Sequence, residues 1–442
     1  MRGFLASSIG VACSAALALP LSLSSGAAAA PPQARSHAQP PDVPGATQSL
    51  PLQDVGPTAS TRSMDPAEER GLAERDVRRF SLVGVVWEDP DAELHGTVQV
   101  RTRAAGTGTW SGWQDVEAHN SDHAADPGTA ESESAKVRGA TAPLWVGDSD
   151  GVEARVRAEG GAESALPKGL RLELVDPGEG EAPEAGAQTE LPAELPTDLP
   201  ADAIAGEGAD ADAGAGMTAD AGGAEAAGLR AVPEPLAVKP YIGPRPRIVT
   251  RKGWGASESL RESGFVYTST VKAAFVHHSV TGNGYSCAQA DSVLRSIYRY
   301  HVVSMGWRDF GYNFAVDKCG NIYEGRAGGV TKAVLGAHTL GFNTNSMGIA
   351  VLGTYSSSNP PEAAVTAVAK LTAWKLGLFG VNPRGKSVLT SGGSGKYAKG
   401  KKVSLNAISG HRDGFATECP GGRLYSKLGS ARKAAAKLQG RS

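Results

Sequence analysis

Apolar positions along the 442-residue chain change their spacing repeatedly, and each change marks a different kind of segment. Behind Arg2 they run densely through Ile9, Val11, Ala15, Leu17, Leu19, Leu21 and Leu23, and the run closes on Gly26-Ala27-Ala28-Ala29-Ala30. That build predicts a secretory signal over residues 1–30 with a small-residue cleavage site. A membrane anchor is the weaker reading, because Pro20 and serines interrupt the run well short of the roughly 20 apolar residues a span needs. Residues 31–75 are rich in Pro, Ala, Gln and Ser without periodicity and predict a disordered leader. From Arg79 the pattern alternates: Phe80, Leu82, Val85 and Trp87, then Val98 and Val100, the stretch Trp110 to Val116, Leu144 to Val146, Val152 to Arg157, and Leu170 to Val175. Period-2 alternation in short runs predicts strands, and several such runs between turn residues predict a small β-sandwich over 76–176. Its Trp87, Trp110, Trp113 and Trp145 either line a sugar-stacking face or pack inside, and packing is the expectation for large aromatics.

Residues 177–240 lose all periodicity, and their Ala, Gly, Pro, Glu and Asp predict a flexible acidic linker. Asp210, Asp212 and Asp220 in it are solvated acids rather than a calcium site. From Tyr241 strands and helices alternate. Lys272 to His278 reads as a buried strand with His277 at its end; Ser286 is an N-cap for a helix through Val293, Leu294, Ile297 and Tyr298 that ends near Gly306. Asn313 to Val316 and Ile322 to Glu324 read as a hairpin, Ser346 to Leu352 as another strand, and Asn359-Pro360-Pro361 as the start of a helix carrying Val365, Val368, Leu371 and Leu376. The fold class expected for 241–442 is α/β, a mixed central sheet flanked by helices.

Charge alters this picture. The whole chain has a formal net charge of −2, yet residues 241–442 hold 27 Lys and Arg against 9 Asp and Glu. Lys386, Lys396, Lys399, Lys401 and Lys402 gather around Ser391-Gly392-Gly393-Ser394-Gly395, an exposed basic hairpin. For an exported chain the fitting partner is an anionic cell envelope rather than nucleic acid, and a merely soluble surface needs no partner. No later stretch is apolar enough to span a bilayer.

Candidate chemistry lies near the C-terminal end. His411 and Cys419 are eight residues apart, joined by glycine and small polar residues and followed by Pro420-Gly421-Gly422, so imidazole and thiolate can face one point. A zinc ion takes such donors in a tetrahedral shell, and a hydrolytic site keeps one position open, so a third ligand is required; His277 is the candidate. Signal cleavage removes Cys13 and leaves Cys287, Cys319 and Cys419. If Cys419 binds zinc, the other two are free to form a disulfide; otherwise any two pair and the third is buried.

Several motifs occur in order: Phe275-Val276-His277-His278-Ser279, Gly306 to Phe314, Ile322-Tyr323-Glu324-Gly325-Arg326, Gly336-Ala337-His338, Gly341-Phe342-Asn343, Gly348-Ile349-Ala350, Gly410-His411-Arg412-Asp413, and Thr417 with Cys419-Pro420-Gly421. This series, over about residues 247–428, resembles the peptidoglycan recognition protein family, the zinc amidases related to phage T7 lysozyme, and the arrangement resembles secreted actinobacterial members. The resemblance implies N-acetylmuramoyl-L-alanine amidase activity, cutting the amide between muramic acid and the stem peptide, with zinc on His277, His411 and Cys419. It implies that Tyr312 hydrogen-bonds the attacking water or the oxyanion. It also places Thr417, a hydroxyl donor, where the phage enzyme has a lysine. Cys419 weighs toward catalysis, since recognition-only members commonly have serine there. His278, His301 and His338 are extra histidines, structural or facing substrate; His338 and Asn343, with His278, are the expected groove residues. Asp413 either orients a ligand histidine or pairs with Arg412, and Cys287–Cys319 is assigned as the disulfide. Two other readings stay open: a non-catalytic binder of cell-wall fragments, and an envelope-anchoring protein whose N-terminal domain carries the biology.

Overall fold

One strand organises the N-terminal half. In the computed structural model, which describes residues 43–55, 68–159, 165–180 and 241–442, β3 (Glu69–Trp87) is paired along both of its edges. One edge pairs antiparallel, from Glu69 to Val83, with β7 (Leu144–Ala158), which also pairs with β4 (Gly96–Ala104); the other pairs, from Leu82 to Val86, with β8 (Arg171–Asp176), which carries β1 (Ala46–Pro51) on its far side. The short strands β2 (Gln53–Asp54), β5 (Gln114–Val116) and β6 (Gly139–Ala140) complete an eight-stranded sheet. Register shifts between Leu72 and Leu82 mark irregularities of the kind that bend a strand. Leu72, Phe80, Val83 and Val85 then meet Val98, Val100, Val152, Val156, Leu172 and Leu174 in one buried core. Each such side chain contributes roughly 1.5–3 kcal/mol when fully buried.

The leader expected over 31–75 is corrected here. Ala46–Pro51 pairs residue for residue with Arg171–Asp176, and Glu69 to Asp76 belongs to β3, so these stretches are part of the β domain, while residues 31–42 and 56–67 of the expected leader lie outside the described residues. β1 was illegible because polar Thr47, Gln48 and Ser49 are buried in it; Gln48 Nε2 donates to Arg78 O at 2.8 Å, and Ser49 Oγ bonds the Glu173 carboxylate. Of the tryptophans, Trp87 is buried and donates to Ala92 O at 2.9 Å, while half-buried Trp113 lies under the Arg155 guanidinium at 4.1 Å. The signal expected over residues 1–30 and residues 181–240 of the expected linker lie outside the described residues.

The C-terminal half is a six-stranded mixed sheet in the order β16, β10, β13, β11, β12, β9. These strands are β9 (Ile248–Val249), β10 (Ala273–His278), β11 (Phe314–Val316), β12 (Ile322–Glu324), β13 (Ser346–Val351) and β16 (Ile408–Gly410). The central strands are parallel and buried throughout, as strands covered on both faces are. Met347, Ile349 and Val351 of β13 face α2 (Glu362–Gly377) and α5 (Leu428–Leu438); Ala350 and Leu352 face α1 (Ala290–Arg299). Val293, Leu294, Ile297 and Tyr298 of α1 keep the helical spacing read from the sequence, and Cys287–Cys319 is bonded in front of that helix. β14 (Lys386–Thr390) and β15 (Lys402–Asn406) form a hairpin on which Lys386, Lys396, Lys399, Lys401 and Lys402 are exposed.

The two halves share a core. Leu82, Val86, Ala140 and Val175 of the β domain belong to the same buried cluster as Val293, Ile297 and Tyr300. Tyr300 Oη donates to Thr141 O at 3.0 Å, and a Cβ on Gly84 would stand 2.3 Å from that hydroxyl, so only glycine lets the halves close this far.

Candidate metal centre

Parallel pairing of β10 with β16 sets Val276 opposite Gly410, so the residues that follow, His277 and His411, emerge side by side with ring centroids 4.5 Å apart. The turn α3 (His411–Gly414) leaves the sheet at once, and its return brings Cys419 back, where Arg412 N donates to Cys419 O at 2.9 Å. Cys419 Sγ lies 3.7 Å from His277 Nδ1. With a metal–nitrogen distance near 2.0 Å and a metal–sulfur distance near 2.3 Å, tetrahedral ligands stand about 3.6 Å apart, which matches.

A fourth donor joins them. His123, on the segment between β5 and β6, points Nε2 at Cys419 Sγ from 3.8 Å, and the donor atoms of His123, His277, His411 and Cys419 all lie within 4.8 Å of one another. Sequence reasoning missed it: Asn120-Ser121-Asp122-His123 carries no ligand spacing, and its partners lie more than 150 residues away. Asp122 Oδ1 holds His123 Nδ1 at 2.8 Å, and Asp122 Oδ2 is 3.6 Å from His411 Nδ1, beyond hydrogen-bond reach.

The donor set fits a dication. All four side chains are buried, and neither ring nitrogen of His411 has a hydrogen-bond partner, an expensive state for a buried polar group unless a ligand is intended. Burial raises the Cys419 thiol well above its ordinary value, a penalty a bound cation reverses by favouring the thiolate. Burial likewise lowers the donor imidazoles, His277 well below its ordinary value and His411 to about 3, so they stay neutral and able to ligate. Burial alone would raise the Asp122 carboxyl, but His123 and His411 beside it hold it well below the carboxylate range.

The remaining expected residues take varied places. The Tyr312 ring stands 5.2 Å from that of His277, and burial raises its phenol so that it stays protonated. Thr417 Oγ1 accepts from Cys419 N at 3.2 Å and its side chain bonds Asp122. His278 lines a cleft of ≈ 620 Å³ whose floor is Cys419 and whose rim includes Lys396, Arg412 and Thr417. His338 and Asn343 are not on its wall. Both are fully buried: Asn343 Oδ1 accepts from the backbone N–H groups of His338 and Thr339, and His338 bonds Thr339, whose hydroxyl lies 3.4 Å from His277 Nε2. They brace a ligand from behind, so the groove expected for them is corrected. Asp413 caps its own turn, accepting from Gly410 N at 2.9 Å and Tyr425 Oη at 2.7 Å, while Arg412 pairs with Glu418 instead. His301 accepts from Gly311 N and stacks on Trp307, away from the cleft.

A family profile described as N-acetylmuramoyl-L-alanine amidase matches residues 267–422, the stretch that carries His277, His411 and Cys419. A second profile, described as Rv3811 N-terminal galactose-binding domain-like, matches residues 32–189 and contains His123. Peptidoglycan-recognition protein SC2 of Drosophila simulans is 31% identical over 183 residues, 41% of this chain and 84% of that protein. The human N-acetylmuramoyl-L-alanine amidase is 33% identical over 138 residues, 30% of this chain and 19% of that protein. Among solved structures, wild-type PGRP-LB of Drosophila is 27% identical, covers 42% of this chain and 93% of that chain, and has a TM-score of 0.33. The chain belongs to the peptidoglycan-recognition protein family. Among the described residues no helix is long and apolar enough to cross a membrane.

Proposed function

We propose that the chain is a secreted, zinc-dependent N-acetylmuramoyl-L-alanine amidase acting on the bond between muramic acid and the L-alanine of the stem peptide. The observation that carries this reading is the convergence of His277, His411 and Cys419 on one buried point, of which Cys419 lines the cleft, inside the residues the amidase profile matches. Zinc held there supplies Lewis acidity to the scissile carbonyl and a nucleophile at neutral pH. His277 is kept in place by Thr339, itself tied to His338 and Asn343, which is the outer support a ligand imidazole needs. Tyr312, protonated because it is buried, donates a hydrogen bond to the developing oxyanion. The Thr417 hydroxyl, on the cleft wall, becomes a second donor if it turns from Asp122 toward the substrate. Lys396 and Arg412 on the rim, with the exposed lysines of the β14–β15 hairpin, favour an anionic cell-wall polymer and set its approach.

A second reading rests on His123. Four protein donors leave no position free, as in structural zinc sites, and such a domain would bind wall fragments without cutting them. Digestion of purified peptidoglycan by the zinc-loaded chain, with mass spectrometry of the products, decides between them when it includes His123→Ala and Cys419→Ala. Stem peptides with a free L-alanine amino terminus are expected from the chain with an open fourth position and not from Cys419→Ala or after chelation. If neither wild type nor His123→Ala releases any while both still sediment with the wall, the protein is a binder.

A further inference from the structure

His123 stands where a hydrolytic centre keeps space. Its ring lies 4.5 Å from that of His411, 5.2 Å from that of His277 and edge-on to that of Tyr312 at 5.9 Å, so it fills the volume between the metal donors and the proposed oxyanion donor. Its Nδ1 is fixed by Asp122 at 2.8 Å, the carboxylate–imidazole pair that metal-bound histidines make, and this leaves Nε2 directed at the cluster.

The segment that carries it is docked by polar contacts. Leu340 N donates to Asp122 O at 3.0 Å; Asp126 Oδ1 accepts from Gly341 N at 2.8 Å and from Asn343 Nδ2 at 2.7 Å; Glu131 takes two bonds of 2.8 Å from Arg326, with both side chains buried. Between β5 and β6 it has no regular strand or helix, and its apolar contribution to the shared core is limited to the partly buried Ala125 and Val137. The cores on either side rest on other residues, so the segment can leave without unfolding either, as segments with few buried apolar contacts do.

We propose that His123 is an intramolecular latch: its Nε2 takes the fourth position of the metal centre, and the folded chain is a latent amidase that becomes active when the segment from Glu117 to Arg138 withdraws. This rests on the amidase reading above, and the test separates the two. The full-length chain is loaded with Co(II) and titrated with acetohydroxamate, a chelating ligand for open metal positions, while the visible spectrum is followed; peptidoglycan digestion is run on the same preparations with zinc. The wild-type spectrum is expected to stay unchanged, and His123→Ala to bind acetohydroxamate at least about tenfold more tightly and to release stem peptides at least about tenfold faster. Asp126→Ala, which loosens the docking without touching a ligand, is expected to fall between them. A wild-type spectrum that shifts as acetohydroxamate is added overturns the latch, and that outcome needs no variant to fold. So does a wild type that digests as fast as His123→Ala, or a His123→Ala centre that stays closed. If wild type is closed and His123→Ala open but neither digests, the latch stands as a closed shell and the amidase reading falls.

Discussion

The His301 ring is stacked on Trp307 at 4.6 Å, its Nδ1 accepting the Gly311 N–H, and burial lowers its pKa to about 3. Between pH 6.5 and about 3 the unfolded imidazole is protonated while the folded one is not, so the unfolded state binds more protons and stability falls as the pH falls through that window. His301 alone contributes a slope on the order of 1 kcal/mol per pH unit there. Thermal melts of His301→Gln are expected to show a shallower decline than wild type between pH 6 and 4; an unchanged slope would remove His301 from the account. The convergence of His277, His411 and Cys419 was legible because the chemistry restricts the residue types and the motifs around them occur in order. His123 was not, because a ligand supplied by another domain leaves no spacing to read. Nor was the placement of His338 and Asn343, since residues that line a site and residues that brace it from behind look alike in a motif.

At the scale of elements, Gly348 of β13 lies directly beneath His338. A Cβ there would stand 2.3 Å from the ring, while its N–H donates to Asn313 Oδ1 at 2.8 Å and fixes the strand. Gly348→Ala is therefore expected to drive His338 toward His277, costing about 1–3 kcal/mol of stability and weakening metal retention against a chelator. A melting temperature and a chelator half-time equal to wild type would refute that coupling. The strands β10 and β13, the β11–β12 hairpin and the proline-started α2 were all readable, since uniform apolar runs and punctuating Gly and Pro leave few alternatives. β1 and the first part of β3 were not. Buried Thr47, Gln48 and Ser49 invert the usual pattern, and charged Arg70 and Glu69 are paired across the sheet surface, with Asp54 and Arg157, rather than marking a loop.

Across the whole molecule the sequence suggested two independent domains, yet the halves are joined by a common core and by the buried Glu131–Arg326 pair. Nearby arginines hold the Glu131 carboxyl below its ordinary value despite burial, which works against ionisation. Glu131→Gln leaves the Arg326 charge without its partner and is expected to lower stability by about 3 kcal/mol, read as a drop in the denaturant midpoint. A midpoint within error of wild type would mean that water or Asp309 replaces the lost partner. Nothing in composition could announce this pairing, because the two residues lie 195 positions apart in segments that each look self-sufficient.

The close seat of Tyr300 on Gly84 has a practical side. An excised C-terminal half would present Tyr300 and the neighbouring faces of Val293 and Ile297 to water, surfaces that Leu82, Val86 and Val175 cover in the intact chain. Contiguous apolar patches of that kind promote self-association. Solubility, rather than loss of any ligand, would then limit what can be learned from the isolated half.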